Sequence, residues 1–258
     1  MPLKNVYVIP HGDELIDLPD ANSKEMATSI ASIASHDSSD VLVIISPHNL
    51  RLERSISVIK TQYLRLNYRL KTGTIRGKYE VDNNLANLIT AKNPEITEGA
   101  YFITSSGSNS VFPMDFGTGI PLHFFRKRNI VSLGQARMKD RKILVEFGRS
   151  LYHTLNNYSR SISLIISADQ AHTHSENGPY GYAPEARLYD ETIIDAIKRS
   201  RLSSILTISE ELITKGKPDS YWNMLILAGI MEECELQLSF DYYYVAEYFG
   251  MLLAHTSI

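Results

Sequence analysis

The segments VYVIPHGDE at residues 6–14 and VLVIISPHN at residues 41–49 share one plan. A short apolar run rich in Val and Ile leads into proline, histidine and small polar residues. Runs of four or five such residues, without polar alternation, predict strands buried on both faces. Between them, residues 23–35 place Met26, Ile30 and Ile33 at helical spacing after the cap-like Asn22. The unit therefore reads β-α-β, a connection that makes its two strands parallel neighbours in one sheet. The pattern continues outward. Residues 129–133 and 162–166 predict further strands, and residues 140–155, 185–197 and 221–232 predict helices. YLRLNYRL, within residues 56–70, suggests a hairpin or an extension of the sheet edge, residues 105–121 a loop, and residues 242–255 closing strands. The expected class is α/β, a three-layer α/β/α arrangement with a central mixed, mostly parallel sheet. No linker divides the chain, so residues 1–258 read as a single domain.

Composition sets the bounds of function. With 258 residues, 43% hydrophobic and 21% charged, the chain can bury a sizeable core without disulfide or metal staples. Its 26 basic and 29 acidic side chains leave a formal charge of −3, which gives no footprint for nucleic acid or for an anionic membrane surface. The single cysteine, Cys234, cannot form an internal disulfide, and MPLKNVYVIPHGDE lacks the apolar run of a signal peptide. These features predict a cytoplasmic protein with no nucleic-acid or membrane partner.

The histidines carry the chemistry. His11 and His48 each follow a strand and a proline, and His172 lies in SADQAH just past LIIS, in a loop shared with Asp169 and His174. Ligands collect at the carboxyl ends of strands in open α/β sheets, so these side chains can converge on one crevice. Two imidazoles and a carboxylate match the facial arrangement that leaves positions open on Fe(II). The third histidine is then free for proton transfer. For each histidine alone, a hydrogen-bonded loop residue is the more ordinary reading.

At these residues the sequence resembles the class III, or LigB-type, extradiol ring-cleavage dioxygenases. PHG at residues 10–12 and SPH at residues 46–48 resemble the family's two metal-histidine motifs, and DFGTGIPL at residues 115–122 its D-H-G-x-x-x-P-L segment. SADQAHTHSENGPYGYAPEARLYD at residues 167–190 is similar to its SGDLSH segment with the following P-Y-G-Y and F-D. Four motifs in order span nearly the whole chain. The resemblance implies a mononuclear Fe(II), sometimes Mn(II), held by His11, His48 and a carboxylate, with His172 as the acid–base residue. It implies a small catechol-like or aminophenol-like aromatic and O2 as partners, and allows a homo-oligomer. Asp115, Thr118, His123, His174, Tyr180 and Tyr182 are the candidate substrate-binding residues, although Asp115 and Thr118 also suit a loop and the tyrosines suit packing.

Two departures stand out. Where the family has its glutamate ligand, this chain has KPDSYWNMLILAGIM, in which Asp219 is the nearest carboxylate; Glu247 is the runner-up, with Asp13, Glu14 and Asp169 behind it. An Asp219 acting as helix cap is the plain alternative. Phe116 replaces the histidine of D-H-G and cannot donate a proton. Both departures also suit a Memo-type binding module, a group similar in fold that EYFGMLLA at residues 247–254 resembles. A hydrolase using Zn(II) or another divalent ion is a third reading.

Overall fold

A computed structural model describes residues 2–101 and 111–257. In chain order the elements are β1 (Leu3–Ile9), α1 (Glu14–Asp17), α2 (Ala21–His36), β2 (Val41–Ile45), β3 (Ile56–Ile59), β4 (Tyr63–Arg69), β5 (Thr74–Glu80) and α3 (Asn83–Lys92). β6 (Thr97–Ala100), β7 (Val111–Pro113), α4 (Phe116–His123), β8 (Asn129–Leu133), α5 (Lys142–Asn156), β9 (Ile162–Ser167) and α6 (Glu185–Lys198) follow. After a 3-10 turn at Leu202–Thr207 come α7 (Glu210–Gly216), α8 (Tyr221–Glu233), β10 (Gln237–Ala246) and β11 (Phe249–Ser257).

Eight strands form a mixed sheet in the order β10-β11-β1-β9-β2-β8-β3-β6, and β5-β4-β7 form a smaller one. The central four, β1-β9-β2-β8, are mutually parallel, while β11 joins β1 and β3 joins β8 antiparallel. The class expected from sequence is the one observed, but β1 and β2, though parallel, are not the neighbours the β-α-β reading expects, because β9 lies between them and pairs with both. Alternation along each strand sorts side chains between two cores. Val6, Val43 and Leu164 pack with helices α3, α5, α6 and α8, while Tyr7, Ile44 and Ile165 pack with α2, α4 and the small sheet. Because both faces are covered, the central strands carry no polar alternation, which is what made them readable.

The helix α8 is held unusually close to α5. A Cβ on Gly229 would lie 1.9 Å from the Val145 carbonyl oxygen, and one on Gly148 2.1 Å from that of Ile226. The backbones of the two helices touch where the glycines face, so α8 is anchored against the helical layer.

Several boundaries differ from expectation. Helix α2 begins earlier and is capped by Asp20, not Asn22: Asp20 accepts from the Ser23 amide and the Ser23 hydroxyl returns to Asp20. Asp and Asn are equally good caps, and only the reciprocal bond from Ser23 selects between them. Both alternatives for residues 56–70 are found: β3 extends the large sheet toward its β6 edge, and β4, the YLRLNYR run, pairs with β5 as an antiparallel hairpin in the small sheet. The expected loop at 105–121 lies partly outside the described residues, and its remainder holds β7 and the start of α4. Among the described residues no helix is long and apolar enough to cross a membrane.

Candidate metal centre and its cleft

Parallel order places the carboxyl ends of β1, β9 and β2 side by side. His11 follows the first, Asp169 and His172 the second, His48 the third. Asp219 comes from the segment between α7 and α8. His11 Nε2 and His48 Nε2 lie 3.1 Å apart, and Asp219 Oδ2 lies 3.0 Å from the first and 3.1 Å from the second. Asp169 Oδ2 is 3.3 Å from His11 Nε2, while its Oδ1 accepts the His11 backbone amide at 2.9 Å. A nitrogen of His172 and carboxylate oxygens of Asp169 and Asp219 form a second, overlapping group within 4.8 Å of one another.

The proton on His11 follows from its neighbours. Ser167 donates its hydroxyl hydrogen to the Gly117 carbonyl at 2.5 Å, so it offers only a lone pair to His11 Nδ1, 2.9 Å away. Nδ1 therefore carries the N–H, and in the neutral ring Nε2 presents its lone pair to Asp219 and His48. Two imidazole nitrogens and a carboxylate oxygen converge within bonding reach of one small volume, a donor set that suits a divalent transition ion. Among the described residues, His11, His48 and Asp219 fit such a metal.

Each ligand candidate is braced. Ser46 donates to Asp115 Oδ1 at 2.7 Å and accepts the His48 amide at 3.2 Å. A Cβ on Gly117 would fall 2.7 Å from Ser46 Oγ and 3.0 Å from the His48 ring, so glycine lets α4 approach this histidine. Gln135 donates to the Asp219 carbonyl at 2.7 Å, and Asn223 donates to the Ser167 carbonyl at 3.1 Å, tying the start of α8 to the carboxyl ends of β8 and β9. Asp219 does not cap α8; Ser220 occupies that position. Placed just before the helix N-terminus, its carboxylate gains from the helix dipole.

Electrostatics follow from this crowding. Burial opposes charge on His11, but Asp169 and Asp219 outweigh it and raise its pKa to about 9. Burial also opposes charge on Asp219, yet His11 and His48 hold it well below the usual carboxylate range. Asp169 moves the other way, to about 6, because it is buried beside a second carboxylate. Burial lowers His172, whose Nδ1 donates to the Gln170 carbonyl at 2.8 Å and whose ring stacks on Phe249 at 5.5 Å.

The cleft over this cluster encloses about 380 Å³ on the side of Tyr68, Phe116 and Glu247. Phe116 lies 4.2 Å from the His48 ring and stacks on Tyr68 at 5.5 Å, forming an aromatic wall where a hydrogen-bonding histidine would otherwise stand. Tyr180 lines the opening beside His172, 6.0 Å between rings. Glu247 sits on the rim in the β10–β11 turn, outside the ligand cluster.

Five residues expected to bind substrate make other contacts or lie away from the cleft. Asp115 caps α4, accepting from the Thr118 amide and hydroxyl, and Thr118 is fully buried beneath it. His123 is exposed at the far end of α4. His174 Nε2 is 2.8 Å from buried Asp190, which also takes the Tyr243 hydroxyl and the Ala171 amide, so it fastens the loop instead of facing the cleft. Tyr182 is 60% exposed and pairs by a bridge with His174. Short polar side chains satisfying backbone look the same in sequence as ligand contacts. Ser167, Gln135 and Asn223 were not foreseen, since their roles depend on which strand ends become neighbours; only the polarity of Asn223 in an otherwise apolar helix hinted at it.

Residues 5–253 match the family model described as the catalytic LigB subunit of aromatic ring-opening dioxygenase. The chain is 19% identical over 253 residues to Protein CA_C1420 of Clostridium acetobutylicum, covering 90% of this chain and 53% of that protein. It thus spans about half the length of that curated relative. Among solved structures it is similar to the uncharacterized protein JW3007 from Escherichia coli K12, with a TM-score of 0.66 and 14% identity over 98% of this chain and 99% of the other. That likeness is one of fold.

Proposed function

This chain belongs to the LigB family of aromatic ring-opening dioxygenases, and we propose that within it the protein is a non-haem Fe(II)-dependent extradiol dioxygenase for a catechol-like or aminophenol-like aromatic. The observation that carries this reading is the meeting of His11 Nε2, His48 Nε2 and Asp219 Oδ2 within 3.1 Å, with His172 alongside. Bound there, Fe(II) would supply open positions for the substrate oxygens and O2 and a route for electrons between them. Mn(II) suits the same donors.

The protein's own part is geometry and proton control. His172 is fixed through Nδ1–H to Gln170, so its other nitrogen is the one available to a substrate hydroxyl. Burial favours the neutral ring, which prepares it as a base, and the same nitrogen can return the proton after ring opening. The Phe249 stack prevents the imidazole from turning away. Phe116 and Tyr68 offer a flat apolar wall to an aromatic ring and keep water from that side.

Phe116 also favours a second reading, a Memo-type metal-bearing binding module, because it brings no proton donor to the cleft. An O2-uptake assay on the iron-loaded protein with a catechol and 2-aminophenol panel separates the two. Iron-dependent uptake matched by a ring-opened product is expected. One equivalent of bound iron with no uptake across the panel would contradict the dioxygenase reading and leave the binding module.

A further inference from the structure

The acids that line the cleft over the cluster differ in what holds them. Asp219 belongs to the ligand group, Asp169 accepts the His11 amide, and Asp13 accepts the Tyr68 hydroxyl at 3.0 Å. Lys71, the lysine of this lining, acts on Asp13 and Asp17. Glu14 has no such support. Its Oε2 is buried and, among the described residues, has no hydrogen-bond partner, and the charges that act on it, Asp169, Glu247 and Asp13, are all negative.

The position of this carboxyl is set by a glycine. A Cβ on Gly12 would lie 2.6 Å from Glu14 Oε2 and 2.9 Å from the Phe249 ring, so the carboxyl fills space beside the residue after His11 that a side chain would close. The same Phe249 ring stacks on His172. An ionised carboxyl without a partner is costly at such a place, and the neutral acid much less so. Burial raises its pKa to about 7, the neighbouring acids add to that rise, and its own backbone amide opposes it. A carboxyl held neutral is a hydrogen-bond donor. For packing alone an apolar side chain would serve better, since it leaves no polar atom unpaired.

We propose that Glu14, as the neutral acid, donates a hydrogen bond to a deprotonated oxygen of the substrate and so supplies the donor that Phe116 cannot. The proposal rests on the dioxygenase reading for the identity of the substrate, but not for the donor. When His172 takes a substrate hydroxyl proton, the O–H bond breaks, the proton moves to the imidazole and the electron pair stays on the substrate oxygen. Glu14 keeps its own proton, and its hydrogen bond strengthens as that charge develops.

The test titrates the Fe(II)-loaded protein, kept free of O2, with 4-nitrocatechol, whose visible absorption reports its deprotonated forms. Glu14→Met should bind it about tenfold more weakly, with less of the deprotonated absorption. The same variant should hold or raise the melting temperature, because an unpaired polar atom leaves the interior. Glu14→Gln keeps the shape and an N–H donor and should stay within about threefold of the unaltered protein. Adding Phe116→His to Glu14→Met should recover most of the lost affinity, since it returns a donor to the cleft. Unchanged binding in Glu14→Met with a lower melting temperature would make the residue structural and overturn the proposal. Glu14→Gln binding as weakly as Glu14→Met, or no recovery through Phe116→His, overturns it as well. Binding of 4-nitrocatechol that depends on Glu14, with no O2 uptake by the unaltered protein across the catechol and 2-aminophenol panel, retains the donor and removes the dioxygenase reading.

Discussion

His11 links protonation to metal capture. In the metal-free protein its charged form is held by Asp169 and Asp219 against the cost of burial, with a pKa raised to about 9. The second proton occupies Nε2, where a metal would bind, so binding must release it. Calorimetric titration with Co(II) should show Kd falling about tenfold per pH unit from pH 7 to about 9 and levelling above that. A flat profile would mean that Nε2 is not a ligand. The same raised pKa stabilises the metal-free fold fully below about pH 6.5, and that contribution disappears as pH rises through about 9. His172 is a different case, since its ring is held by Gln170 and Phe249. His172→Ala should keep its iron and its fold and lose turnover by roughly 10² to 10⁴. Loss of iron measured by elemental analysis would make it a ligand of the overlapping Asp169–His172–Asp219 group instead.

Among the elements, α8 decides where the third donor sits. Its anchor is the backbone contact between Gly229 and α5, and Asp219 precedes its first turn. Gly229→Ala must separate the two helices, costing roughly 3 kcal/mol in urea unfolding, toward the upper end for overpacking. It should also weaken metal binding by moving Asp219 away from histidines that belong to the sheet. Destabilisation with unchanged metal affinity would show that the 217–220 segment is positioned independently of α8.

The elements also show what sequence could and could not reveal. The strands at Val41–Ile45 and Ile162–Ser167 were legible because both faces are buried, and His11 and His48 because proline-histidine follows such runs directly. Asp219 was harder. It comes from a segment remote from every strand, and its distance from the histidines depends on helix packing that leaves only two glycines as a trace. Asp115, Thr118 and His174 are ambiguous in sequence for a related reason, since a capping carboxylate and a loop-fastening imidazole have the same letters as a binding site.

For the whole molecule, the cluster joins parts of the chain that are otherwise far apart. β1, β2, the loop after β9 and the approach to α8 all contribute to it. A metal that binds only this folded arrangement must stabilise the entire sheet, by about 2.7 kcal/mol at a free concentration 100 times Kd. Differential scanning calorimetry should therefore show the melting temperature rising with Co(II) in the unaltered chain and in Glu247→Ala. Asp219→Ala should lose most of that rise, together with its metal content after mild chelation. An equal rise in Asp219→Ala, with the rise lost in Glu247→Ala, would move the third ligand to the rim.

The central claim is the identity of the metal centre, and anomalous diffraction from crystals loaded with Fe(II) without air measures it most directly. One peak is expected, at about 2.0–2.3 Å from His11 Nε2, His48 Nε2 and an Asp219 carboxylate oxygen, with His172 unligated. A peak held by Asp169, His172 and Asp219 without His11 and His48, or no peak in this cleft at full iron loading, would contradict the account.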